Sequence, residues 1–133
     1  MTPPLTLYFY TLYKEGMKII ISSLILLVLD SIFIYFMSRT FSSQIFDVQR
    51  SPLHINILGA ILCYGFLIFG LNYFILHKHK SVFEAFLLGI VIYGVYETTS
   101  LALLRKWRLT TVFIDTLWGG ILFGLTTYLT YLL

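Results

Sequence analysis

Charged residues are scarce in this 133-residue chain, and their scarcity excludes most soluble folds. Asp, Glu, Lys and Arg together make up 11% of the residues, whereas 59% are apolar. Soluble domains are typically about one quarter charged. A soluble domain of this length buries too small a fraction of its surface to hide so many apolar side chains. The mean hydropathy of +0.89 therefore indicates that lipid is the solvent.

Cysteines and catalytic motifs are equally sparse. Cys63 is the only cysteine, which excludes an intramolecular disulfide and any CxxC motif. His54 and His77 lie at opposite ends of one apolar run, separated by roughly 34 Å of helix, and so cannot share a metal or a haem. Phosphate-binding loops, HExxH and GxSxG do not occur in the sequence. The sequence predicts no metal and no cofactor, and it favours a protein that is not an enzyme.

Four long apolar runs are the dominant feature of the chain. About 20 apolar residues are needed for a helix to cross the ~30 Å hydrocarbon core. The runs are continuous, whereas membrane β-strands alternate in hydropathy, and the links between them are short, which is typical of antiparallel neighbours. We predict an all-α membrane protein of four transmembrane helices in an up-down bundle, at about 19–37, 55–76, 85–104 and 111–133.

The first 16 residues stand apart from the predicted transmembrane domain at 17–133. The stretch from Leu5 to Tyr13 is apolar and aromatic but too short to span a bilayer. Tyrosine is favoured at the membrane–water interface. Residues 1–16 are therefore either an interfacial extension or a non-native start, with Met17 as the true first residue.

The nine basic residues lie almost wholly between the apolar runs, where they meet lipid headgroups. This distribution excludes a basic nucleic-acid-binding face and identifies the bilayer as the main partner. The two sides carry nearly equal positive charge, so the positive-inside rule leaves the orientation open. The basic residues on one side are Lys14, Lys18, Lys78 and Lys80. Those on the other side are Arg39, Arg50, Arg105, Lys106 and Arg108.

Three acidic residues, Asp30, Glu97 and Asp115, interrupt the apolar runs. Ionisable groups at such depth mark a partner or a pathway. At 1.5 Å per residue they lie roughly 12, 10 and 6 Å from run ends that face the same side of the membrane. We predict one polar cluster in that half of the bilayer, made of Asp30, Asn56, Tyr93, Glu97, Ser100, Arg105, Asp115 and Trp118.

This cluster has two interpretations. It is either a proton relay, cation site or polar pocket, or a satisfied hydrogen-bond network that holds the helices together. Small residues spaced four apart predict close helix packing, either within the chain or between copies in a homo-oligomer. These residues are Gly120 with Gly124 and Ala85 with Gly89.

The second half of the chain resembles a family of small four-helix membrane proteins that is catalogued only as a domain of unknown function. The family pattern reads roughly Tyr-x-x-Tyr-Asp-x-Thr-Asn-x-Ala, then a Trp, then Asp-x-x-Trp-Gly. The matching residues here are Tyr93, Tyr96, Glu97, Thr99, Ser100, Ala102, Trp107, Asp115, Trp118 and Gly119. Glu97 and Ser100 replace the family's usual Asp and Asn. In the first half, Asp30 matches the family's Asp, and Phe33 replaces its Trp.

The resemblance covers about residues 17–133 and implies four helices and no established activity. Members occur in bacteria, algae and large DNA viruses, and the Ile, Phe and Tyr content here is closer to a viral member. We expect a structural or interaction protein of a cellular or virion internal membrane, whose basic loops contact membrane or capsid-type proteins. The alternatives are a proton- or cation-coupled four-helix transporter and a lipid-acting membrane enzyme.

Overall fold

A computed structural model describes residues 4–133, and this part of the chain forms four long helices. Each helix is long and apolar enough to cross a membrane, which confirms the predicted all-α four-helix fold. Residues 1–3 of the predicted extension lie outside the described residues. The helices are α1 (Leu5–Gln49), α2 (Ile57–Leu71, continued by a π-helical turn at Asn72–Leu76), α3 (Val82–Leu103) and α4 (Leu109–Leu132).

Helix α1 is much longer than the predicted run of 19–37. Its 45 residues include most of the N-terminal segment and most of the link expected after Arg39. The helix ends at Arg50, which adopts a left-handed conformation (φ 61°) and donates its backbone N–H to the Phe46 carbonyl at 2.8 Å. Pro52 follows, and it cannot continue a helix. At 1.5 Å per residue α1 is about 67 Å long, roughly twice the thickness of the hydrocarbon core.

The basic turn between α2 and α3 is followed by a capping box at the N-terminus of α3. The Ser81 hydroxyl accepts a hydrogen bond from the Glu84 backbone N–H at 3.1 Å, and the Glu84 carboxylate accepts one from the Ser81 backbone N–H at 3.1 Å. This reciprocal pair satisfies two backbone donors that the first helical turn would leave free. Helix α3 therefore begins immediately after the turn, antiparallel to α2.

Helices α3 and α4 form the closest pair in the bundle. A Cβ atom added to Gly89 on α3 would collide with the main-chain oxygen of Gly119 on α4, so the backbones touch there. At Gly120 an added Cβ would come within 2.7 Å of the Phe86 ring, whereas at Gly124 it would make only ordinary contacts. The small residues thus serve packing within the chain, and Ala85 is fully buried in the same interface.

Helix α4 is the central helix of the bundle and packs against α3 and α1, and α2 packs against α1. About half of the apolar span of α4 is buried (50%), compared with 17% or less for each of the other helices. The apolar core is formed chiefly by Leu26, Leu71, Leu122 and Phe123. The polar residues of α4 therefore face neighbouring helices, and most of α1, α2 and α3 faces outward.

Candidate polar site within the bundle

Asp30 lies where α1 meets both α2 and α4, and it is 6% exposed. One carboxylate oxygen accepts a hydrogen bond from the Tyr64 hydroxyl of α2 at 2.5 Å. The other accepts one from the Trp118 indole N–H of α4 at 2.9 Å. A single side chain on α1 is thus bonded to two other helices, and both donors are neutral.

The Trp118 ring is held in place by an aromatic stack. Phe33, one helical turn after Asp30, lies parallel to the indole, with ring centroids 4.5 Å apart and an interplanar angle of 8°. Because Phe33 and Asp30 are three residues apart, they share one face of α1. The stack and the hydrogen bond together fix the indole orientation.

Glu97 and Asp115 form a second polar centre, between α3 and α4. Glu97 is 1% exposed and accepts a hydrogen bond at 2.8 Å from the indole N–H of Trp107, in the short α3–α4 link. Asp115 is also buried, and its carboxyl group lies close to that of Glu97.

Tyr93 and Ser100 lie beside these two centres on α3. The Tyr93 ring covers Gly119, next to Trp118, since an added Cβ on that glycine would collide with it. Ser100 is buried three residues after Glu97, on the same helix face. The structure therefore brings together six of the eight predicted cluster residues, which are Asp30, Tyr93, Glu97, Ser100, Asp115 and Trp118.

Asn56 and Arg105 lie outside the cluster. Asn56 is exposed and caps α2, where its side chain accepts the Gly59 backbone N–H at 2.9 Å. Arg105 is exposed in the α3–α4 link. Among residues 4–133, the buried carboxylates form no salt bridge with any Lys, Arg or His, and Arg108 pairs instead with Asp47 at 3.0 Å.

Asp30 lies deeper than the sequence predicted. Because α1 continues past Arg39, Asp30 is about 21 Å along the helix from Gln44 and about 22 Å from Glu15. Gln44 and Glu15 contact the two ends of the neighbouring helices, so Asp30 is near mid-depth. Glu97 and Asp115 each lie only about 9 Å from the nearer end of their helix. The cluster therefore extends from one end of the bundle to its middle.

Further polar contacts along α1 were not predicted from the sequence. The Asn72 amide donates to the Ser22 hydroxyl at 3.1 Å, inside the π-helical turn that extends α2. The buried Gln44 accepts hydrogen bonds from the Thr111 hydroxyl at 2.9 Å and from the Arg108 backbone N–H at 3.0 Å. Spacings of seven, eight and fourteen residues place Glu15, Ser22, Asp30 and Gln44 on one face of α1. That periodicity is present in the sequence, but Gln44 falls in a segment predicted to be a loop.

The fold and the polar network define a small polytopic α-helical membrane protein with buried, hydrogen-bonded carboxyl groups. The chain belongs to a family described as predicted membrane protein (DUF2177), whose model matches residues 6–132. This match confirms the family resemblance and extends it into the N-terminal part of α1. No curated protein and no solved structure matches the chain. Phe33, where the resemblance implies a Trp in the family, supplies the ring stacked on Trp118.

Proposed function

We propose that this protein is a structural component of its membrane, in which a rigid bundle holds α1 so that its N-terminal end can contact neighbouring proteins. The observation that carries the proposal is the set of side-chain bonds along α1. Bonds at several depths tie α1 to the turn after α2, to α2 itself and to α4. The α1 residues that make them are Glu15, Ser22, Asp30, Gln44 and Asp47.

The buried carboxyl groups of Asp30 and Glu97 support a structural role because each is hydrogen-bonded to a side chain of another segment. Asp30 joins three helices, and Glu97 joins α3 to the following link. Hydrogen bonds between helices stabilise bundles in lipid, where apolar burial contributes little to helix association. This is the arrangement expected of a network that holds helices in register.

The N-terminal end of α1 supplies the contact surface in this proposal. Glu15 lies beside His77 (3.4 Å), just after the end of α2. Residues 5–14 continue beyond that level for about 15 Å, and all ten are exposed. This projecting segment is apolar and aromatic, with Leu5, Phe9 and Tyr13 each more than half exposed.

The proposed partners are membrane or capsid-type proteins that engage the projecting segment and the basic loops. The α2–α3 turn, which Glu15 contacts through His77, carries the exposed Lys78 and Lys80. Basic side chains at that level favour anionic surfaces, whether of lipid or of protein. The membrane in this proposal is that of a cell or the internal membrane of a large DNA virus.

Shortening the chain to begin at Met17 should release the bundle from its larger assembly without unfolding it. The cut removes the projecting segment and the exposed Glu15–His77 contact, but it keeps the contacts of Ser22, Asp30 and Gln44. Native gel electrophoresis of solubilised membranes should show the full chain in a complex and the shortened chain as the free bundle, with the same thermal unfolding midpoint. If both chains migrate identically, the projecting segment is not the contact surface.

Proton-coupled transport is the second candidate, and the Glu97–Asp115 pair favours it. Two buried carboxyl groups lie close together there, and neither forms a salt bridge with a basic residue within residues 4–133. In vesicles with an imposed pH gradient, transport predicts proton flux above protein-free vesicles, abolished by Glu97→Gln and Asp115→Asn. The structural proposal predicts no flux above that background, and an E97Q-sensitive flux would overturn it.

A lipid-acting enzyme has weaker support from the geometry. Such an enzyme needs a lateral groove beside its carboxylates. The apolar groove between α3 and α4 has a volume of about 490 Å³ and is lined by residues such as Phe86, Gly124 and Tyr128. Phe86 is about 16 Å along α3 from Glu97. The groove therefore opens in the half of the bundle that lacks the Glu97–Asp115 pair.

A further inference from the structure

A second cavity lies at the membrane face from which α1 projects. It has a volume of about 510 Å³ and is bounded by α1, the turn after α2 and the end of α4. Its lining residues are Lys14, Met17, Lys18, Ile21, His79, Thr130, Tyr131 and Leu133. This cavity is separate from the carboxyl network, since Asp30 lies about three turns further along α1 than Lys18.

The open end of the cavity is basic. Lys14 and Lys18 are four residues apart, so both project from one face of α1. His79 enters from the turn, where it adopts a left-handed conformation (φ 52°) and donates its backbone N–H to the Leu76 carbonyl at 3.2 Å. None of the eight described lining residues is an aspartate or glutamate. The closest acid along α1, Glu15, is turned toward His77 and lies 4.0 Å from Lys18.

The inner wall of the cavity is mainly apolar. Met17 lies one turn after Lys14, and Ile21 lies one turn after Lys18, so both apolar side chains share the cavity-lining face of α1. Tyr131 closes the opposite side, where its hydroxyl donates to the Lys80 carbonyl at 2.7 Å. A ligand that fits this cavity carries negative charge at one end and apolar groups at the other.

We propose that this cavity binds the phosphate headgroup of an anionic lipid, with the upper part of an acyl chain along Met17 and Ile21. Lysine ammonium groups are established phosphate ligands, and basic residues at this depth attract anionic headgroups. Free phosphate carries the same kind of charge, but it has no apolar group that could pack against the apolar wall. The site would hold one lipid at a defined position beside the base of the projecting segment.

The test measures phosphatidylglycerol retained by the full chain after reconstitution into mixed phosphatidylcholine–phosphatidylglycerol vesicles and purification in detergent. Native mass spectrometry should detect one retained phosphatidylglycerol per chain. The double variant Lys14→Gln/Lys18→Gln should lower that retention by about thirtyfold, the effect of removing two lysine–headgroup attractions. The matched control, Lys78→Gln/Lys80→Gln, removes the same charge from the same membrane face outside the cavity, and it should retain the lipid.

Two further measurements distinguish lipid recognition from misfolding of the bundle and from binding of free phosphate. Lys14→Arg/Lys18→Arg keeps the charge and should keep the lipid, whereas a misfolded bundle would lose it. Inorganic phosphate alone should not raise the thermal unfolding midpoint of the full chain, whereas phosphatidylglycerol should. Equal losses in the two Gln pairs, loss in the Arg pair, or equal stabilisation by inorganic phosphate would each overturn the proposal.

Discussion

Replacing Gly89 with alanine should lower the free energy of unfolding of the bundle by about 3 kcal/mol, near the upper end of the usual cost of overpacking. The added methyl group would collide with the main-chain oxygen of Gly119, and a backbone atom cannot rotate out of the way. Helices α3 and α4 would have to separate, which would also loosen the contact between Glu97 and Asp115. Unfolding in mixed micelles, followed by circular dichroism, measures the change.

Two other glycines provide matched controls for this substitution. Gly124 lies on the same α3–α4 interface, but an added Cβ there makes only ordinary contacts, at 3.6 Å or more. Gly65 on α2 has open space around it. Alanine at either position should be neutral or should stabilise the helix by up to about 1 kcal/mol, through its higher helix propensity. If Gly89→Ala behaves like Gly65→Ala, the helices do not touch at Gly89.

Replacing Asp30 with leucine should lower the free energy of unfolding by about 2 kcal/mol, since it leaves the Tyr64 hydroxyl and the Trp118 N–H without an acceptor. Leucine is larger than aspartate and has no acceptor, so the loss of stability combines hydrogen bonding with packing. Asparagine should cost less than about 1 kcal/mol. Its amide oxygen can accept from Trp118 and its amide nitrogen can donate to Tyr64, whose hydroxyl serves in either role.

The two Asp30 variants test the structural proposal, and the transport candidate is tested at the Glu97–Asp115 pair. A structural network needs the hydrogen bonds, so Asp30→Asn should keep both the stability and the assembly of the bundle. A proton carrier needs its titratable groups, so Glu97→Gln and Asp115→Asn would stay folded and lose proton flux. Should Asp30→Leu prove as stable as the original protein, the hydrogen bonds of Asp30 do not hold the helices together.

The existence of the four helices followed from the sequence because span length and apolarity are local properties of the chain. The buried positions of Asp30, Glu97 and Asp115 followed for a related reason, since a carboxyl group inside an apolar run has to face other helices and avoid lipid. The end of α1 could not be predicted in the same way. The segment after Arg39 is polar and typical of a loop, but it is held as helix by contacts of Gln44 with α4.

The partners of the carboxyl groups were decided only by the tertiary structure. Arginines near the helix ends were reasonable candidates by charge, but a short, polar link directs Arg105 outward, and Arg108 is paired with Asp47. The donors to Asp30 and Glu97 are instead tyrosine and tryptophan side chains. Such side chains are also common in apolar membrane helices without a buried partner, so the sequence does not mark them as donors. The sequence by itself therefore determined that acids would be buried within four membrane helices. Which helix faces meet was decided by non-local packing. The packing of α2 on α1 brings Tyr64 to Asp30, and the packing of α4 on α1 brings Trp118 to it.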